Sequence, residues 1–424
     1  MRIKSNLWPL YPELFNFSRD RKKEPGIKRS AIPGLSGLIP LFTLNGRIFG
    51  VCLLFRFTIS HLKMRVYNFS AGPAVLPEPV LKKAQEELLE LPGVGASVLE
   101  ISHRSKPFIA IIEQAEANIR QLYSIPENYQ VLFLQGGALM QFGMIPMNLL
   151  KGSGKAADYV VTGSWSKKAI SEAKTQGTVN TVWDGKSVEF RRKPSAAEMK
   201  LDPNAAYCYL CSNETIEGIQ WQTEPNVGNV PLICDSSSDI FCKPIDISKY
   251  GLLYACAQKN CGPAGVTIVI MRNDLLEKSP DDIPSLLNYK KLAEQKSMLN
   301  TPPCFAIYMV KLVTDWLLND IGGLDKMYAK NKEKATLLYQ TIDESNGYYK
   351  GHAEKEFRSI MNVPFRLPSE ELDKKFETEA KAANLISLAG HRSVGGLRAS
   401  IYNAMPREGV VALCEFMKNF AAKN

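Results

Sequence analysis

Between Val131 and Leu276 the chain repeats one device six times: a short apolar run that stops at turn-forming or small polar residues. The runs are VLFLQGG (131–137), YVVTGSW (159–165), AYCYLCSNET (206–215), LICDSSS (232–238), LLYACAQKN (252–260) and GVTIVIMRNDLL (265–276). Unbroken apolar runs of this length fit strands buried on both faces. Helical stretches such as SKKAISEAKTQG (166–177) stand between several of them. Buried strands alternating with helices predict an α/β fold, with a mainly parallel sheet and helices on both faces. The last two runs, joined by QKNCGPAG, also fit a local antiparallel return.

Upstream, LPEPVLKKAQEELLEL opens near Pro79 and places Val80, Leu81, Ala84, Leu88 and Leu89 on one helical stripe. After NTPP (300–303) the pattern changes. Two long helices broken at Gly322–Gly323, strands in SIMNVPFRL and GGLRASIYNAM, and a closing helix in REGVVALCEFMKNFAAK predict a smaller α+β domain. The expected division is a large domain over 64–324 and a small one over 325–424. An arm over 64–77 is expected to pack with the small domain.

The net charge of +9 points to a polyanion binder until it is divided. Residues 1–63 carry 11 Lys+Arg against 3 Asp+Glu, which leaves 41 against 40 for the rest. A general nucleic-acid surface on the main body is therefore excluded. Residues 1–63 read as a targeting segment, as a weak membrane-associating stretch, or as an over-extended start with the true beginning at Met64; the last is preferred, because coherent structural signals begin there. No run matches the roughly 20 predominantly apolar residues of a membrane span. Nine cysteines without a paired framework read as reduced thiols of a cytoplasmic protein, or of an organelle if the first segment is a targeting peptide. Cys208 and Cys211 form a CxxC inside an apolar strand, with no second pair to complete a zinc set.

In open α/β sheets ligands bind beyond the carboxyl ends of the strands. Five such ends here carry useful groups: Gly136–Gly137, Trp165, Thr215, Asp235 and Lys259. Each has a plainer reading, as turn, packing, N-cap or snorkelling amine. Together they favour one shared site. The glycines before a helix can cradle a phosphate. Asp235 can hold a ring nitrogen protonated, as pyridoxal phosphate requires. Lys259 has no acidic residue within five positions on either side. An amine in that setting is expected to lose its proton readily and act as a nucleophile. Two His-Arg pairs, His103–Arg104 and His391–Arg392, and Arg398 add donors for a small molecule bearing carboxylate and phosphate. His352, in a polar stretch, is expected at the surface.

NFSAGPAVLPEPVL, SHRSKPF, ADYVVTGSW, SNETIEGI, AQKNCGPAGVTIVI, NTPPCFAIYM, MNVPF and GHRSVGGLRASIYNAM resemble, in order and spacing, the phosphoserine aminotransferase family. The resemblance runs from about Arg65 to the C-terminus. It implies a class V, fold-type I enzyme that uses pyridoxal 5'-phosphate and works as a homodimer on L-glutamate and 3-phosphohydroxypyruvate. Lys259 matches the lysine that binds the cofactor covalently, Asp235 the partner of its ring nitrogen, and Trp165 the ring's cover. Thr215, Gln258, Ala138 and Leu139 match further cofactor-binding positions, the last two through backbone donors. Asn300 and Thr301 match residues that reach the other subunit's cofactor. Ser70 and Arg104 match glutamate-binding positions. His103, His391, Arg392 and Arg398 match residues around the substrate's phosphate and carboxylate. Cys256 and Cys261 depart from the family pattern beside the lysine and are expected to make the site sensitive to alkylation. The rivals are a serine–glyoxylate-type aminotransferase, a cysteine desulfurase, and a cofactor-binding regulator without turnover. No mobile catalytic cysteine supports the second, and no helix-turn-helix pattern supports the third.

Overall fold

The computed structural model describes residues 65–424. The expected status of residues 1–63 lies outside the described residues. The chain enters through β1 (Tyr67–Asn68) and α1 (Glu78–Glu87), then α2 (Lys106–Tyr123), β2 (Tyr129–Leu134), α3 (Gly137–Leu149), β3 (Ala157–Val161), α4 (Ser164–Ala173) and β4 (Val179–Asp184). Strand β5 (Cys208–Cys211), a hairpin of β6 (Asn213–Glu214) and β7 (Ile219–Gln220), β8 (Leu232–Asp235), β9 (Leu252–Cys256) and β10 (Thr267–Arg272) follow. Next come α5 (Asn273–Leu276), α6 (Tyr289–Glu294), α7 (Cys304–Asn319), α8 (Leu324–Asp343), β11 (Lys350–Gly351) and β12 (Asn362–Arg366). The chain closes with α9 (Glu370–Ala382), β13 (Leu385–Ile386), β14 (Leu397–Ser400) and α10 (Arg407–Lys423).

Seven strands make the main sheet in the order β2-β10-β9-β8-β5-β3-β4. The β9-β8-β5-β3-β4 run is parallel. Strand β10 is antiparallel to both its neighbours, so QKNCGPAG does make the antiparallel return. The pleat sorts alternate residues into two cores. Phe133, Val160, Leu210, Leu253 and Ile268 face one side with α2 and α7. Leu132, Tyr159, Tyr209, Tyr254 and Val269 face the other with α3 and α4. Buried tyrosines on that second face pair their hydroxyls, Tyr159 with Tyr207 and Tyr209 with Tyr254, both at 2.9 Å. No phenol there is left without a hydrogen bond. Cys208 and Cys211, three apart on β5, point to opposite faces and cannot share an ion.

The α1 stripe is shorter than expected. Val80 and Ala84 are buried, but the helix ends at Glu87, and Leu89 is 89% exposed. His352, expected at the surface, is half-buried there, with Nε2 at 3.1 Å from the Phe190 carbonyl.

A third core joins β12 and β14 with α8, α9 and α10, and it includes Phe69 from the first described segment. That segment is held by parallel pairing of β1 with β13. Gly322 and Gly323, both at positive φ, turn the chain from α7 into α8, as the sequence predicts. On α8, Lys334 is buried and donates to the carbonyls of Ile401, Tyr402, Asn403 and Met405 at 2.7–3.4 Å. Burial, and the charge of Lys330, pull this amine down to about 7. Lys334→Met keeps the length and leaves four carbonyls without their donor. It is expected to destabilise the protein by about 1–3 kcal/mol, read as a lower melting temperature; melting at the wild-type temperature would refute this account of the contact.

Candidate active site

The parallel strands all end on one edge of the sheet, and their ends line a cleft of about 220 Å³. Gly136 to Leu139 come from the β2–α3 turn, Trp165 from the start of α4, and Thr215 from the β6–β7 hairpin. Asp235 ends β8, and Gln258 and Lys259 follow β9. The sheet brings nine of the predicted residues together around this cleft. Four wall residues were not singled out: Asn213, Ser237, Ser238 and Cys211. The serine run after Asp235 was the available signal for two of them.

Lys259 Nζ donates to Thr215 Oγ1 at 3.1 Å and lies 5.4 Å from the centre of the Trp165 ring. Gly72 packs so close that an added Cβ would sit 3.3 Å from Lys259 Cγ. Ala74 N–H donates to the Gln258 carbonyl at 2.8 Å, so the loop that begins at Ser70 closes over the lysine. Burial disfavours the ammonium, but anionic forms of Tyr402 and Cys256, and the Asp235 carboxylate, favour it; the amine is left above its ordinary value. The readily neutral amine expected from sequence is therefore corrected. Strand pairing sets Asp235 against Tyr254, which brings a carboxylate near Lys259 that no sequence neighbour reveals.

Asp235 is buried, and Ser237 N–H donates to its Oδ1 at 2.9 Å. Burial raises its carboxyl above the usual range, against the opposing pull of Ser237 and Lys259. A buried carboxylate in this position calls for a cationic N–H partner. Helix α3 starts from Gly136 and Gly137, both at positive φ, with no side chain capping it. The first N–H groups of a helix have no acceptor within it, and they favour an anion such as phosphate. Trp165 Nε1 is buried without a partner. An amine, a buried acid, an aromatic cover and an uncapped helix end surround one cleft, and this donor set fits pyridoxal phosphate.

The substrate candidates lie around this core and do not line it. Arg398 Nη1 donates to the Thr215 carbonyl at 3.3 Å. His391 Nδ1 lies 2.6 Å from Ser393 Oγ. Burial, then the charges of Arg398, Lys168 and Arg392, hold the His391 imidazole below its ordinary value. Lys168 was missed from sequence; its Nζ stands 4.3 Å from the Trp165 ring, one helical turn on. These cations stand together beside His391 and Trp165. His103 has a buried, unpartnered Nε2, Arg104 is exposed, and neither reaches the cleft wall of its own chain. Asn300 and Thr301 are also off the wall, although the Thr301 carbonyl accepts from Gln135 Nε2 at 3.3 Å.

Cys256 lines the cleft, whereas Cys261 is wholly buried, and burial pushes its thiol well up. Alkylation of the cofactor-free protein is expected to label Cys256 ahead of Cys261, and bound cofactor to protect it. Equal labelling of both, or labelling of Cys256 indifferent to cofactor, would contradict this.

The comparisons with known proteins agree with the geometry. Residues 66–413 match the family described as Aminotransferase class-V. Phosphoserine aminotransferase of Rhodopirellula baltica is 56% identical over 361 residues, which cover 85% of this chain and 96% of that protein. Phosphoserine aminotransferase 1, chloroplastic, of Arabidopsis thaliana is 51% identical over 360 residues, covering 85% of this chain and 83% of that one. The solved phosphoserine aminotransferase from Bacillus circulans subsp. alkalophilus superposes with a TM-score of 0.83 at 48% identity, covering 85% and 99% of the two chains. With its sheet order, the contents of its cleft and these identities, the chain belongs to the class-V aminotransferases of fold type I.

Proposed function

We infer that the chain is a pyridoxal-phosphate-dependent aminotransferase. It moves the amino group of L-glutamate to 3-phosphohydroxypyruvate, giving O-phospho-L-serine and 2-oxoglutarate, a step of serine biosynthesis. The observation that carries this reading is Lys259 beside Thr215, in a cleft shared with Asp235, Trp165 and an uncapped helix end. Bound there, pyridoxal phosphate supplies an aldehyde for an amine and a protonated ring that accepts the electron pair left when a Cα–H bond breaks.

The chain's own residues do the rest. The N–H groups of Ala138 and Leu139, with Gln258, hold the phosphate. Asp235 would pair with the ring N–H, which would offset its pull on the Lys259 ammonium. Lys259 Nζ, once neutral, is the base for the Cα proton. Trp165 covers the ring, and Thr215 fixes the lysine. Arg398 serves the substrate's carboxylate or phosphate, a role its bond to the Thr215 carbonyl beside the lysine supports, and Ser70 and Arg104 serve glutamate. His103, His391 and Arg392 serve the phosphate and, in the other half of the cycle, glutamate's side-chain carboxylate.

The active unit is a homodimer in which Asn300 and Thr301 reach the partner's cofactor. Leu139 is 63% exposed and Met140 42% at the start of α3, next to the segment that carries Thr301. Apolar surface in that place favours an interface. We keep the division at 324/325 as a proposal; the packing of arm 64–77 on the smaller part is supported by the β1–β13 pairing. A cytoplasmic setting is supported by eight unpaired thiols among the described residues.

Incubation with 15N-glutamate and 3-phosphohydroxypyruvate tests the reading. The label is expected in O-phosphoserine; unlabelled product, or none, would refute it.

A further inference from the structure

Two buried acids stand behind the cleft, and the chemistry above does not use them. Glu214 and Glu217 belong to the β6–β7 hairpin, and both are buried. A Cβ on Gly163 would lie 2.6 Å from Glu214 Cδ and 2.6 Å from Glu217 Oε2. Both carboxyls therefore press on the same backbone point, within about 5 Å of one another. That point is the start of α4. Glu214 accepts from the Trp165 N–H at 3.0 Å, the Ser166 N–H at 3.1 Å and the Ser166 hydroxyl at 2.5 Å. Glu217 Oε1 accepts from the Ser164 N–H at 2.9 Å and the Ser164 hydroxyl at 2.6 Å, and its Oε2 has no partner. Helix α4 is thus capped from a distance by two acids, and Trp165 sits in the capped turn. Thr215, next to Glu214 in the same turn, binds Lys259 through its hydroxyl and Arg398 through its carbonyl. One hairpin turn therefore touches the ring's cover, the reactive amine and an arginine of the rim.

We propose that Glu214 and Glu217 are positioning residues that share a single proton, and that this half-neutralised pair holds α4 and the Thr215 turn so that Trp165 covers the cofactor. The proposal rests on the functional reading above for the identity of the ring. Two carboxylates this close and this dry cannot both ionise at neutral pH. Burial, then repulsion from Glu217, raises Glu214 to about 8, and burial raises Glu217 as well. The groups facing the pair are Arg398, Lys259 through Thr215 and the Cys211 thiol, and Lys168 of α4 stands over the Trp165 ring. On the outer side of Glu217 stand Glu189, Arg191, Lys350, His352 and Arg366. Loss of the shared proton leaves two charges on one helix end, and the turn must open.

The sign of the stability effect follows. A carboxyl raised on folding binds more protons in the folded than in the unfolded chain between its two values. Stability contributed by the pair is therefore present at acid pH and is lost as pH rises from about 4.5 towards 8.

The test uses Glu217→Gln and Ser164→Ala in the full chain. Circular dichroism of the bound cofactor's visible band reports how the ring is held, and is followed from about pH 6 to about pH 10. Wild type is expected to lose signal with an alkaline midpoint. Glu217→Gln cannot form the double charge and is expected to lose that transition while Lys259 remains in place. Ser164→Ala removes a donor to Glu217 and is expected to move the midpoint upward, by about one pH unit. In the cofactor-free protein, the fall of melting temperature with pH is expected to be shallower for Glu217→Gln than for wild type. Unchanged midpoints in both variants, or parallel melting curves, would overturn the proposal. A wild type with no visible band at all would instead count against the cofactor reading, and the melting curves would still decide the pair. If Glu217→Gln fails to fold, the Ser164→Ala midpoint decides alone.

Discussion

Replacing Lys259 with alanine is expected to abolish turnover, by at least about 10⁴-fold, and with it the visible band of covalently bound cofactor. Both follow from one atom. Nζ donates to Thr215 Oγ1 and lies 5.4 Å from the centre of the Trp165 ring, and it is the proposed covalent anchor and proton carrier. A general base alone is worth roughly 10²–10⁴-fold, and covalent anchoring adds to it. Spectra and initial rates on the purified variant check this. Partial rescue by a small added amine would fit, because it restores the base without the tether. A variant that keeps both band and rate would overturn the assignment.

Asp235→Asn is expected to slow turnover by about 10²–10³-fold and to weaken cofactor retention. The carboxylate is buried, with Ser237 N–H on one oxygen. Removing one partner of a buried charge pair costs about 3–5 kcal/mol. The asparagine side chain is nearly the same shape, so packing is kept and the effect is electrostatic. The Lys259 amine loses an anion that favours its charged form, so the pH dependence of cofactor capture should move to lower pH in this variant. A rate within a few-fold of wild type, with an unmoved pH profile, would remove Asp235 from the mechanism.

Much of this site is readable in the chain because it is built at strand ends. Runs such as LICD and LLYAC are apolar on both faces, so the polar residues at their ends, Asp235 and then Gln258 and Lys259, stand out. Trp165 is legible for the same reason. What depends on register is not legible. Nothing in the order of residues says that Asp235 comes near enough to favour the Lys259 ammonium, or that Glu214 and Glu217 meet at Gly163. The β1–β13 pairing involves two residues on each strand, too few to show a period. The stripe through Leu88 and Leu89 misled because apolar spacing continues past the point where α1 ends. Lys168 was hidden in an ordinary Lys-Lys pair, and only the helical turn places it over Trp165. The two His-Arg pairs looked alike in sequence, yet they differ in place: His391 sits among rim cations, and His103 stays off its own chain's cleft.

A half-reaction tests the account most directly. Glutamate is added to the cofactor-loaded chain until the visible band is discharged, and one keto acid is then supplied. The account predicts that 3-phosphohydroxypyruvate restores the band within a turnover, and that pyruvate and glyoxylate, lacking the phosphate the rim cations would bind, restore it far more slowly. Equal or faster recovery with pyruvate or glyoxylate would contradict it.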